Sequence, residues 1–194
     1  MNLGNLFDKY GSDKNRNGYT PVYESIFKHW RPCSILEVGI GTMIPGAPSS
    51  MVGYALPGYR PGGSLRAWRD YFNQGMEGLA SRTRVYGIDV APDTQFDDEP
   101  LIKTFLADSR DSAALEKVLG DRVFDVIIDD GLHDHDAQLS TINNLLQHMN
   151  PGGFYVVEDI YPESPFLAEW DKVAEELGLK WFTTKKKNIM VVSL

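Results

Sequence analysis

Apolar residues along this chain fall into short runs separated by stretches of helical spacing. Ser34–Val38 (SILEV), Arg84–Asp89 (RVYGID), Leu101–Leu106, the run from Val123 (VFDVIID) and Gly153–Asp159 (GFYVVED) are rich in Val, Ile and aromatic residues. Such runs suit strands buried on both faces of a parallel sheet. Two closing runs, Leu179–Thr183 and Ile189–Leu194, flank Lys185–Lys187, which reads as a solvated hairpin turn. Between the strands the spacing changes to that of helices. Val22, Ile26 and Trp30 share a face within Pro21–Trp30, as do Leu65, Trp68 and Phe72 within Ser64–Phe72. Ser112–Leu119, Ala137–Met149 (stopped by Asn150-Pro151-Gly152) and Pro165–Leu177 (stopped by Gly178) complete the set. Thr20 is the expected cap of the first of these helices, with Pro21 in its first turn. The alternation predicts an α/β fold: a doubly wound, Rossmann-like, mostly parallel seven-stranded sheet ending in an antiparallel hairpin.

Two stretches escape this alternation. Lys9–Gly18 is polar and rich in Gly and Asn, and Thr42–Gly63 holds four prolines and two tyrosines. A loop that long inside a compact domain is expected to be a lid or binding loop. Residues 1–194 read as a single domain, with 1–30 as a cover and 42–63 as the lid.

Chemistry gathers where the strands end. Asp129 and Asp130 close one apolar strand, and Gly131, His133 and His135 follow; Glu158 and Asp159 close another. Ligand crevices of open α/β sheets lie outside the carboxyl ends of the strands. If these two strands are neighbours, at roughly 4.8 Å, four carboxylates crowd one region and need a cation or a shared proton. Oxygen donors suit a hard cation such as Mg²⁺. Asp129 is either a ligand or faces a helix N-terminus, and His135 is a second candidate base behind His133. Glu37-Val-Gly-Ile-Gly41 is a glycine turn where backbone approaches a ligand closely. It lacks a third glycine and an immediate helix, and Glu37 disfavours a pyrophosphate. Asp89 is placed to accept from a ribose diol or to form a turn; Asp108-Ser109 is a ligand contact or a helix cap.

Net charge narrows the partners. Nineteen basic and 27 acidic residues give −8, which argues against a nucleic-acid or anionic-membrane surface. The single Cys33 allows no internal disulfide, and no apolar run approaches the ~20 residues of a membrane span, so the expected location is the cytoplasm.

LEVGIGT, VYGIDV, LADSRD, IIDD and GGFYVVED together resemble the class I S-adenosylmethionine-dependent methyltransferases. The resemblance implies a cofactor set of Glu37, Gly39, Gly41, Asp89 and Asp108, with Ser109. DKYGSDK, GGSLRAWRDYF, DDGLH and VVEDI resemble more narrowly the metal-dependent sugar O-methyltransferases of macrolide and tetracenomycin glycoside biosynthesis. That likeness implies Mg²⁺ held by Asp130, Glu158 and Asp159, and His133 as general base. It also places Tyr10, Ser12 or Lys14 near the cofactor carboxylate, and implies a glycoside or sugar hydroxyl as acceptor and a homo-oligomer. Tyr54 and Tyr59 in the long loop are expected near the acceptor. A phenolic or catechol acceptor, and a non-catalytic methyltransferase-like binding module, are the alternatives.

Overall fold

The computed structural model describes residues 1–75, 82–184, 186 and 188–194; Lys185 and Lys187 of the expected turn lie outside the described residues. Seven strands form one sheet: β1 (Ser34–Val38), β2 (Arg84–Asp89), β3 (Ile102–Leu106), β4 (Phe124–Asp129), β5 (Met149–Val157), β6 (Lys180–Thr183) and β7 (Met190–Ser193). Their order is β3-β2-β1-β4-β5-β7-β6, with β7 antiparallel to both its neighbours and the other pairs parallel. The chain reverses direction across the sheet between β1 and β4, which makes their carboxyl ends the switch point where a crevice opens.

Alternation along the strands builds two cores. Ile35, Val85, Val126, Ile128 and Val156 face one layer, with α1 (Leu3–Tyr10), α2 (Thr20–Ile26) and α3 (Gly63–Asn73) packed on it. Leu36, Val38, Ile88, Ile127, Tyr155 and Val157 face the other, with α4 (Ser112–Leu119), α5 (His135–Leu145) and α6 (Phe166–Leu177).

Several element boundaries differ from expectation for identifiable reasons. Helix α1 is absent from the sequence reading, yet Leu3, Leu6 and Phe7 are buried on one stripe and the Asn2 side chain accepts from Asn5 N–H at 2.8 Å. Helix α2 ends at Ile26, four residues short of Trp30, and its N-cap is Tyr19 rather than Thr20. Helix α5 starts earlier than Ala137 because Asp134 caps it, accepting from Asp136 and Ala137 N–H. It stops at Leu145, and a 3-10 turn leads directly into β5, which begins at Met149, ahead of Pro151. The register shift between Phe124 and Val126 absorbs the Asn-Pro-Gly-Gly segment as an irregularity within the strand.

Candidate active site

A cleft of about 990 Å³ opens over the carboxyl ends of β1, β2, β4 and β5. The sheet supplies Gly39, Gly41, Asp89, Asp108, Ser109, Asp130, His133 and Asp159; the N-terminal segment adds Ser12, Asp13 and Arg16, and the long loop adds residues 47–51, Tyr54 and Tyr59.

At one end lies the glycine turn. Gly39 has φ 87°, and a Cβ there would collide with the carbonyl of Asp130. Gly41 has φ 84°, and a Cβ there would meet the Tyr59 hydroxyl. That hydroxyl donates to the Gly41 carbonyl at 2.7 Å and lies 3.2 Å from the Ile40 carbonyl. The long loop is therefore pinned onto the turn. Asp89 holds the turn from β2, accepting from Ile40 N–H at 2.8 Å and Ala91 N–H at 2.9 Å. A carboxylate has about four lone-pair positions, so these two bonds leave acceptor capacity toward the cleft. Asp108 is gripped by Arg110, whose Nη2 lies 2.7 Å from Oδ2. This ion pair holds the Asp108 carboxyl below its ordinary range against the opposing effect of burial. The cap of α4 is Asp111, not Asp108 or Ser109. Ser109 shares a 2.8 Å hydrogen bond with Thr141 of α5.

Glu37 stands apart from this set. It is fully buried, accepts from the Trp68 indole N–H at 2.7 Å, and does not line the cleft. The strand's alternation turns its side chain toward α3 while the glycines beyond it face the cavity.

At the other end the acids converge. Strands β4 and β5 are paired, with Asp129 opposite Val157, so Asp130 and Glu158-Asp159 leave the sheet side by side. One donor atom each from Asp130, His133 and Asp159 lie within 4.8 Å of one another. His133 Nε2 is 3.8 Å from Asp159 Oδ2. Asp159 has φ 50°, a left-handed conformation that a non-glycine residue rarely adopts and that collects at functional sites. The Tyr19 hydroxyl donates to its Oδ1.

Glu158 lies deeper and is fully buried; it accepts from the Tyr23 hydroxyl and the Lys14 ammonium. Burial raises its carboxyl well above the usual range, and Asp130 and Glu37 add to this while Lys14 opposes it. Lys14 Nζ also lies 2.7 Å from Asp130 Oδ2 and 3.3 Å from Glu37 Oε1. The segment expected near the cofactor carboxylate thus sends Ser12 to the cleft and Lys14 into the acids, while the Tyr10 hydroxyl donates to Asp70 on α3. Asp129 is buried behind the site, accepts from Gly131 N–H at 3.3 Å and is pushed up to about 7 by burial. His135 opens α5 with Nε2 3.3 Å from Glu169. Lys14, Tyr19, Tyr23 and Tyr59 carry much of the geometry. Only DKYGSDK and the tyrosine-rich loop pointed toward any of them.

No protein-family model matches the chain. It is 36% identical over 163 residues to the 8-demethyl-8-alpha-L-rhamnosyl tetracenomycin-C 2'-O-methyltransferase of Streptomyces olivaceus, a match covering 81% of this chain and 37% of that protein. It is 32% identical over 159 residues to the demethylmacrocin O-methyltransferase of Streptomyces fradiae, covering 80% and 34% of the two chains. The chain thus spans little more than a third of the length of these curated relatives. Among solved structures, the MycE methyltransferase of the mycinamycin pathway, in complex with Mg and SAH, superposes with a TM-score of 0.75 at 24% identity, over 99% of this chain and 54% of that one. A ribosomal RNA methyltransferase from Plasmodium falciparum gives 0.58 at 18% identity over 95% and 96%. Both share the fold.

Proposed function

The chain is related to the sugar O-methyltransferases of macrolide and tetracenomycin pathways, and on that premise we propose that it methylates a hydroxyl of a sugar or glycosylated natural product. The reading takes S-adenosylmethionine as methyl donor and Mg²⁺ as the metal. One observation carries it: Asp130, His133 and Asp159 converge on the floor of the same cleft whose other end is the glycine turn and Asp89.

The residues fit both groups. Carboxylate oxygens at the mouth of β4 and β5 match a hard cation, with Glu158 the inner member of the ligand set. Gly39, Gly41, Asp89, Asp108, Ser109 and Ser12 line the remaining length, which accommodates a nucleoside-sized ligand and leaves room beside the acids. The cation, when bound, lowers the pKa of a coordinated hydroxyl, and the sulfonium supplies the methyl.

The chain's own part is to orient and to move a proton. His133 takes the acceptor's proton at its ring Nε2, which faces Asp159 Oδ2 at 3.8 Å. Asp89 fixes the turn, so donor and acceptor are held at a set separation. Residues 1–30 and the 42–63 loop form walls over the cleft, as a cover and a lid would.

Calorimetric titration of S-adenosylhomocysteine and of Mg²⁺ tests this, on the wild type and on Asp130→Asn with Asp159→Asn. The wild type should bind both, the variant only S-adenosylhomocysteine, and methyl transfer to a rhamnosyl glycoside should stop on chelation. Cofactor binding without any divalent-cation binding would overturn the metal-assisted reading. Turnover confined to catechols would overturn the acceptor class.

A further inference from the structure

The mechanism above leaves one buried charge unused. Lys14 is 1% exposed, sits in the turn between α1 and α2, and reaches acids more than a hundred positions away. Its ammonium hydrogen-bonds Asp130 Oδ2 and Glu158 Oε2, two of the three carboxylates assigned above to the metal. An ammonium and a divalent cation cannot both use those oxygens without strong mutual repulsion at this depth. A buried lysine so placed is the charge that keeps Glu37, Asp130 and Glu158 compatible in the metal-free protein.

A second observation shows where the ammonium can go. Glu37 Oε1, fully buried, accepts no hydrogen bond from any described residue, although Lys14 Nζ is only 3.3 Å away. The other Glu37 oxygen is taken by Trp68. A shift of well under 1 Å toward Glu37 would give Lys14 a full hydrogen bond to Oε1 and lengthen its contact with Asp130 Oδ2.

We propose that Lys14 is a built-in counter-ion and positioning residue of the acidic centre: it holds Asp130 and Glu158 until a divalent cation displaces it toward Glu37. The inference rests on the metal-assisted reading and deepens it. Its consequence is that Lys14 weakens metal affinity in return for a stable metal-free site.

The test is Mg²⁺ titration of the wild type and Lys14→Met, with S-adenosylhomocysteine titration as a control on folding. Lys14→Met should bind Mg²⁺ at least roughly tenfold more tightly, as expected when a nearby positive charge is removed. Its thermal midpoint should fall without metal and recover with it, and cofactor affinity should hold. A wild-type measurement covers the case in which the variant does not fold. The Lys14 ammonium resonance, followed by ¹⁵N NMR, should move on saturation with Mg²⁺. Equal or weaker Mg²⁺ binding by Lys14→Met, or an unmoved ammonium resonance in a metal-loaded wild type, overturns the counter-ion role alone. Metal binding by neither protein overturns it together with the metal-assisted reading.

Discussion

Gly39 shows how much of the site hangs on single backbone positions. Its left-handed φ and the approach of the Asp130 carbonyl both exclude a side chain. Gly39→Ala should cost roughly 2–4 kcal/mol, combining left-handed strain with a backbone collision. Because the colliding atom belongs to Asp130, Mg²⁺ affinity should fall along with stability, which equilibrium unfolding and a metal titration on the same sample would measure. His133 makes a contrasting case. Its ring packs at the cleft surface and holds no core element, so His133→Gln should leave the unfolding midpoint near wild type while kcat falls by about 10²–10⁴. A loss of cofactor binding in that variant would remove His133 from the role of base. The acids and His133 were legible in the sequence because each follows an apolar run, and a strand's carboxyl end fixes where its next residues lie. Lys14 was not legible as their partner, because a contact spanning 144 positions is made by tertiary packing that no local pattern encodes.

Among the elements, α1 is the one whose docking the sequence understated. The stripe Leu3, Leu6, Phe7 was present to be read, but an eight-residue helix depends on tertiary contacts more than on propensity. Those contacts are with α3. Phe7 meets Trp68 edge-on at 4.9 Å, and Asp70 accepts from Tyr10 while Arg69 and Lys9 flank it. Burial alone would raise the Asp70 carboxyl, but the Tyr10 hydroxyl and the Arg69 guanidinium outweigh it and hold it below its ordinary value. A depressed acid contributes stability that is present above the unfolded pKa and lost as pH falls through the folded one. Urea midpoints should therefore drop for the wild type as pH falls below ~3.9, and Asp70→Asn should show a shallower decline over the same range. Equal slopes would mean that Asp70 does not anchor α1. Strand β5 is the opposite lesson. Asn150-Pro151-Gly152 reads as a terminator, yet pairing with β4 draws Met149 into the strand and leaves the proline at an irregular register.

At the scale of the whole molecule, three parts distant in sequence meet around the cleft: the N-terminal segment through Ser12 and Arg16, the long loop through Met51, Tyr54 and Tyr59, and the carboxyl edge of the sheet. The sheet edge is fixed by strand pairing; the long loop is tied to it by Tyr59 at the glycine turn and by Ser49 at the Gly131 carbonyl, and the N-terminal segment by Lys14 at Asp130 and Glu158. A ligand that touches all three parts binds the folded state alone, so its binding energy adds to global stability. S-adenosylhomocysteine at about 100 times its Kd should add roughly 2.7 kcal/mol, which for a chain of this size is a rise of about 5–10 °C in Tm. The same ligand should slow amide exchange in residues 11–18 and 47–59 more than in β6 and β7, whose hairpin lies at the far edge of the sheet. Tyr59→Phe separates the two effects. Without its hydroxyl the loop loses its tie to Gly41, so ligand-induced protection of 47–59 should shrink while that of 11–18 persists. A thermal shift accompanied by no protection in either wall would place the cofactor outside this cleft, and with it the whole assignment of Gly39, Gly41, Asp89, Asp108 and Ser109.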